Sequence, residues 1–405
     1  MVEPDMFFIP LIAVLAPLLA RGVSAWVRVP IVVFELVLGI LLGPDVLGWV
    51  QLSDFVDHLS DFGLATLFFV AGSEINFEAV RGRPILRASL GWLTSLVLGL
   101  AVGVLIAPGE TAVIIAVALS STALGTLMPI LRDAGELHTP FGRAATAIGA
   151  VGEFGPLVAI SLFLGTREPG ISTLVLIGFV VVTGGAIALA TRMSHGRLHD
   201  FVRTTLHTSG QFAVRVIVMI LAALVALSIL LDLDMLLGAF AAGVIWKLIM
   251  RNAPERDREQ VDSKVEAIAF GFLVPIFFVY TGVTFDLEAL LASPMALTLL
   301  PLFFVLLLVI RGLPAQLSVP PGASGHDRAA LALLAATGLP IIVAVTNIGV
   351  DEGILDSALA SALVGAGMLS VLAFPLLGMA LRVRSSTRET VPLDPAPAEP
   401  TQEEA

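Results

Sequence analysis

The chain contains no cysteine in 405 residues. Disulfides, thiol catalysis and thiolate metal sites are therefore excluded, while the compartment is left open. Charge is scarce too: 14% of residues are charged, against about 25% in a soluble globular chain. Neither a Walker A loop nor an HExxH motif occurs, which argues against a P-loop ATP-driven pump and a zinc-dependent intramembrane protease. Five of the six histidines, His138, His195, His199, His207 and His326, fall in expected cytoplasmic loops. No histidine falls inside an expected membrane segment, so a Ser–His catalytic pair at membrane depth is not expected. The loop histidines read as solvated residues before they read as pH sensors. The N-terminus opens with the acids Glu3 and Asp5, where a cleaved signal peptide would carry positive charge.

Apolar residues are what the chain has in abundance. They make up 57% of it, and the mean hydropathy is +0.98. The expected fold class is an all-α polytopic membrane protein. Thirteen segments stand out: 6–20, 31–43, 62–75, 85–107, 112–131, 144–164, 172–191, 211–231, 235–249, 265–283, 295–319, 329–349 and 357–381. The basic residues test this division. Nineteen of the 22 Lys and Arg flank alternate loops or the C-terminal stretch. The opposite loops hold only Arg167, and Arg215 and Arg311 lie inside segments. By the positive-inside rule the N-terminus is expected outside and the C-terminus in the cytoplasm. The Pro-rich, acidic stretch 383–405 reads as a disordered cytoplasmic tail. No nucleotide-binding domain is expected after it.

The chain also repeats itself. Phe68-Phe69-Val70-Ala71-Gly72 at the end of segment 3 matches Phe277-Phe278-Val279-Tyr280-Thr281-Gly282 at the end of segment 10, with one insertion. Leu38-Gly39 and Gly43 in segment 2 echo Leu237-Gly238 and Gly243 in segment 9. The offset is seven segments, an odd number, so the two halves enter the membrane in opposite senses. Residues 1–164 and 211–382 then form inverted repeats, with 165–210 as a linker helix and loop. Such repeats place a substrate site near the midplane, where interrupted helices meet. Segment 5 carries Ser120-Ser121-Thr122-Ala123-Leu124-Gly125, and its counterpart, segment 12, carries Ala335-Ala336-Thr337-Gly338-Leu339-Pro340. Two breaks at equivalent positions imply two crossing, unwound helices.

Glu153, inside segment 6, is the leading site candidate. A carboxylate at mid-membrane costs about 2.5 to 3.5 kcal/mol on insertion scales, and such a group is rarely kept without a partner or a function. Gly152, Gly155 and Pro156 are expected to loosen the helix around it. Thr122 and Ser121, at the break in segment 5, offer hydroxyl and freed carbonyl oxygens suited to a monovalent cation. The same hydroxyls can instead bond back to their own helix. Arg311, inside segment 11, requires an anionic or carbonyl partner, or a path by which its head reaches the interface. Glu74, at the end of segment 3, and Glu35, in segment 2, are further acids for the ion path or, with Arg311, for a core salt bridge or charge compensation; Glu74 can instead face water or pair with Arg81. Thr346 and Asn347 are weaker candidates for an outer funnel. Gly39–Gly43 and Gly99–Gly103 have the GxxxG spacing of close helix contact.

The stretches LVLGILLGP (36–44), LFFVAGSEINFEAVR (67–81), ALSSTALGTLMPILRDAGELHTPFGRAATAIGAVGEFGP (118–156), LGAFAAGVI (237–245) and FFVYTGVTFD (277–286) resemble the monovalent cation:proton antiporter-2 family. The resemblance runs in order over roughly residues 6–382. It implies exchange of sodium or potassium for protons by alternating access, in the bacterial inner membrane and in the service of pH homeostasis. It further implies a homodimer, with a dimerisation domain and a mobile core domain in each protomer. Glu153 would be the ion-binding carboxylate, and Arg311 the basic residue that pairs with the site or stabilises the core. Electrogenic relatives place two adjacent Asp here, and potassium-efflux relatives a Gln–Asp pair. This chain has Gly152-Glu153, which implies electroneutral exchange. Apart from the transported ions, no cofactor is expected; membrane lipid is expected as a partner and nucleic acid is not. The alternative reading is a sodium-coupled carrier of a small organic anion. Few polar groups surround the expected crossing for such a solute.

Overall fold

In a computed structural model, the described residues are 5–23, 29–50, 53–75, 82–164, 169–193 and 211–389. Among them are seventeen α-helices. Nine membrane-length apolar helices, some with internal interruptions, are accompanied by four shorter ones: Phe7–Val23, Ile31–Leu42, Gly170–Gly185 and Met235–Ile249. Each expected segment coincides with one of these, although helix length alone supports nine crossings. Arg28, Arg81, Arg167, Arg197, Arg203, His195, His199, His207 and residues 390–405 lie outside the described residues.

The helices are α1 (Asp5–Val23), α2 (Ile31–Leu42), α3 (Asp54–Glu74) and α4 (Arg83–Ile106). They continue with α5 (Glu110–Ser120), α6 (Leu124–Asp133), α7 (Pro140–Phe163) and α8 (Pro169–Met193). The second half begins with α9 (Phe212–Leu230), α10 (Met235–Ile249) and α11 (Glu255–Ile268). A π-helical turn, Ala269–Leu273, leads from α11 into α12 (Val274–Val283). After the short α13 (Leu287–Ala292) comes α14 (Pro294–Leu306), which runs into a second π turn, Leu307–Gly312. The chain then forms α15 (Gly325–Ala335), α16 (Pro340–Asp351) and α17 (Ser357–Glu389). Several boundaries differ from expectation, among them α11, which begins at Glu255 and not at 265. Helix α3 starts at Asp54, well before 62, because Asp54 and Asp57 suit the positive end of a helix. His58 therefore lies on α3, with Nδ1 2.6 Å from the Asp54 carbonyl. Helix α17 runs to Glu389, into the stretch read as tail.

The helices form two bundles. In one, α3 packs on α10, α2 on α12, α1 on α2 and α9 on α10. In the other, α4 packs on α5 and α7, α17 on α14 and α15, and α16 on α5. Helix α8 touches both, against α7 and α10. The first bundle is held by two glycine seams. A Cβ on Gly39 would meet the carbonyl of Val279, and one on Gly282 that of Leu36. Likewise, a Cβ on Gly243 would meet the carbonyl of Phe69, and one on Gly72 that of Phe240. Exchanging the halves maps one seam onto the other, as an inverted repeat requires. It also corrects the register of the sequence echo: Gly39 corresponds to Gly243, not to Gly238.

Burial separates the centre from the rim. The broken helices α15–α16 are 89% buried over their apolar window, whereas α4 and α9 are each 28% buried. Leu105, Leu174 and Leu230 stand exposed at the rim, as lipid-facing residues do. At the basic end of the second bundle, Arg382 on α17 donates from Nε to Glu136 and from Nη1 to Asp327, each at 2.8 Å. Its guanidinium also lies 5.0 Å from the Phe141 ring centroid. The α6–α7 connection, α15 and α17 are thereby tied at one point.

The seams make a direct prediction. Gly243→Ala should lower the thermal unfolding midpoint of the detergent-purified protein, by an amount equivalent to about 1–3 kcal/mol, because the backbone must separate. Gly178→Ala on α8, with open space around it, should leave the midpoint unchanged. Equal midpoints for both variants would contradict the close contact.

Candidate functional site

The centre of the second bundle is a crossing of two breaks. Residues 121–123 separate α5 from α6, and 336–339 separate α15 from α16. Each break frees backbone groups that a membrane cannot solvate. The structure shows where those groups go. Ala123 N donates to the carbonyl of Thr337 at 2.8 Å, and Thr122 N to the carbonyl of Gly152 at 2.9 Å. The second bond depends on Pro156. Proline has no N–H, so the carbonyl four residues earlier, Gly152, lacks its helical partner. The break in segment 5 takes up what the proline leaves. On the other side, Gly338 N donates to Ser370 Oγ at 3.2 Å.

Around Glu153 the sequence expectation needs correction. Helix α7 runs unbroken from Pro140 to Phe163. Its glycines allow close packing: Gly149 lies against Leu124, Gly152 against Thr122 and Arg311, and Gly155 against the Trp92 ring. Thr139 caps the helix, accepting from Gly142 N at 3.0 Å. Glu153 is 1% exposed. Its Oε2 accepts the N–H of Leu124 at 3.1 Å. Leu124 is the first residue of α6, so the carboxylate sits at the positive end of a half-helix and satisfies one of its free donors. The neighbouring Phe154 stacks on Phe240 of α10 at 5.4 Å, across the boundary between the bundles.

Arg311 lies on the π turn and is 1% exposed. It donates from Nε to Thr122 Oγ1 at 2.7 Å and from Nη2 to the Ile148 carbonyl at 2.9 Å. Among the described residues it forms no ion pair, and a carbonyl is the partner it takes, one of the two kinds that its burial requires. Glu74 instead pairs with Arg132 on α6 at 3.7 Å, and Glu35 lines a cavity. The Thr122 hydroxyl is doubly engaged. It accepts from Arg311 and donates to the Ala335 carbonyl at 2.6 Å. In this arrangement Thr122 bridges the two breaks, and a cation there would have to displace a guanidinium. Ser121 donates back to the Ala118 carbonyl at 2.8 Å. Sequence reasoning missed the carbonyls of Gly152, Ile148 and Thr337. Pro156, four residues beyond Gly152, was a legible signal for the first of them.

Among the described residues, cavities lie on both faces of the molecule, and one of them reaches Glu153. The largest, about 990 Å³, is lined by Glu153, Glu35, Gly125, Thr126 and otherwise mainly apolar side chains. It opens where α2 begins and α17 nears its end, on the face of the basic loops. A second, about 530 Å³, lies on the same face and holds Glu74, Arg132, Met128 and Thr146. A third, also about 530 Å³, lies at the opposite face. Asp57, Asp61, Asp234, Asp286 and Asp351 line it, with Thr346 and Asn347 as the sequence suggests. Among the described residues, no group of three or more His, Cys, Asp or Glu is placed to hold a metal ion.

Crossed half-helices with a buried carboxylate at one half-helix terminus define the class: a secondary transporter built on inverted repeats. Residues 11–379 match the family model for the transmembrane sodium/hydrogen exchanger, and the chain belongs to that family. The Na(+)/H(+)-K(+) antiporter GerN of Bacillus cereus is 28% identical over 70% of this chain and 73% of its own length. The probable Na(+)/H(+) antiporter GerT of Bacillus cereus is 26% identical over 82% of this chain and 91% of its own. For the putative Na(+)/H(+) antiporter YjbQ of Bacillus subtilis the figures are 23% identity, 90% of this chain and 61% of that one. Here the chain spans less than two thirds of the relative. The fold is similar to that of the sodium proton antiporter MjNhaP1 from Methanocaldococcus jannaschii, with a TM-score of 0.66 and 15% identity over 95% of this chain and 97% of that one.

The bridging role of Thr122 is testable. Thr122→Val keeps the volume but leaves the buried Arg311 Nε without its acceptor. The unfolding midpoint should fall by the equivalent of about 1–3 kcal/mol, while Thr122→Ser should restore it. An unchanged midpoint in the Val variant would mean that Arg311 is held by other groups.

Proposed function

We propose that this chain exchanges a monovalent cation, sodium or potassium, for protons across a bacterial inner membrane by alternating access. The observation that carries the reading is Glu153: a carboxylate buried at a half-helix N-terminus, lining a cavity from one face only. A carboxylate holds a proton or a cation, but not both well, and that competition is what an exchanger requires. The family and the named relatives support cation/proton exchange, whereas nothing in the site favours the alternative, an organic anion.

The geometry supports a cycle. With the basic loops in the cytoplasm, Glu153 faces the cytoplasmic cavity, and the N-terminus lies outside. Movement of the second bundle against the first would carry Glu153 toward the acidic cavity opposite. Arg311 stays protonated throughout and keeps a fixed positive charge beside Gly152. One carboxylate alternating between one proton and one monovalent cation moves no net charge. The reading also takes the chain as a homodimer, the first bundle facing its copy.

In proteoliposomes loaded with a pH dye, sodium, potassium or lithium should drive proton movement. Glu153→Gln should abolish that signal without loss of folded protein, and Glu153→Asp should retain part of it with a shifted pH profile. Exchange at the wild-type rate in the Gln variant would remove the central claim. The same vesicles, clamped at different potentials, should exchange at one rate, because no net charge crosses the field. A steep voltage dependence would require a second proton carrier.

A further inference from the structure

The large cavity holds a second acid that the proposed cycle does not use. Glu35 on α2 is 5% exposed and lines the same cavity as Glu153. The two belong to different bundles. Glu153 stands on α7 of the second bundle, Glu35 on α2 of the first. Glu35 makes no hydrogen bond or ion pair with the described residues. Its helix is fixed, since the carbonyl of the next residue, Leu36, lies against Gly282. The acid is therefore placed, not left loose.

A buried carboxylate without a partner is costly while ionised. The described walls around Glu35 do not offset that cost with charge: Glu35 and Glu153 are the only titratable groups among the described residues that line the cavity. Among the described residues, none on the elements packed against α2 is bonded to Glu35. On α1, Arg21 is exposed near the helix end. On α12, Tyr280 donates to Asp57 at the far face. On α17, Arg382 is engaged by Glu136 and Asp327. Glu35, in the second turn of α2, and Glu153 thus share one cavity, which opens where α2 begins. The apolar walls suit a proton passed along water better than a cation that must replace its hydration shell.

We propose that Glu35 is a proton-relaying residue that serves Glu153 from the cytoplasmic side, an inference that rests on the exchange reading above. Glu35 takes a proton from water at the mouth. Through water in the cavity it passes that proton to Glu153, so that protonated Glu35 and ionised Glu153 become ionised Glu35 and protonated Glu153. The reverse transfer releases the proton when the cation is taken up.

The test compares Glu35→Gln, Glu35→Asp and Glu153→Gln in proteoliposomes at a series of internal pH values on the cytoplasmic side, with sodium as the cation. In Glu35→Gln the maximal rate should fall roughly tenfold at alkaline cytoplasmic pH, where protons are scarce, and recover toward wild type in acid. The sodium KM should stay within about twofold. Glu35→Asp should restore most of the lost rate. Difference infrared spectra should lose one protonated-carboxyl band in Glu35→Gln. A uniform loss of rate at every pH, or a pH profile and spectrum unchanged from wild type, would overturn the relay. A raised sodium KM would instead make Glu35 a cation ligand and equally refute it. If Glu153→Gln still exchanges, the site reading fails; if Glu153→Gln is inactive and Glu35→Gln is wild type, only the relay fails.

Discussion

The structure depends on one constraint: a membrane leaves no unpaired backbone group unpunished. Two helices break at the centre of the second bundle, and free groups of the breaks are answered by the other break, by α7 or by Ser370 on α17. The bond from Ala123 N to Thr337 O joins the breaks directly. The bond from Thr122 N to Gly152 O joins them to the helix that carries Glu153. Thr122 then adds a side-chain bridge between Arg311 and Ala335. Carboxylate, guanidinium and both breaks are consequently one cooperative unit, in which each member fixes the position of the next.

That unit explains the residue at position 152. A Cβ there would overlap Thr122 and the Arg311 guanidinium. Gly152 is therefore space for a cation, the fixed charge of Arg311, beside the one acid of the site. Any larger side chain at 152 has to move Arg311 before it can act. The choice of glycine and the single carboxylate are thus two aspects of one packing solution.

Much of this was legible in the sequence. The apolar segments, the two breaks and Glu153 each followed from hydropathy or from the cost of a buried charge. The matching Gly72 and Gly282 pointed to the repeat. What was not legible depended on distance. Arg311 read as needing a carboxylate or a carbonyl, and only geometry chooses the Ile148 carbonyl and adds the Thr122 hydroxyl. Ser121 could equally be a ligand or bond back to its helix, and only geometry decides that. The repeat register slipped because Gly238 and Gly243 both resemble Gly39, and only packing against Phe69 tells them apart.

Phe154, next to Glu153, touches Phe240 across the bundle boundary. An aromatic stack of this kind contributes about 0.5–1.5 kcal/mol beyond area burial, and it tolerates sliding because its attraction varies gently with offset. By contrast, the glycine seams inside the first bundle have carbonyls against Cα atoms and no room to slip. The molecule therefore has a stiff direction and a soft one. The soft direction runs along the boundary between the bundles, where the ring of Phe154 offers a bearing surface one residue from the carboxylate.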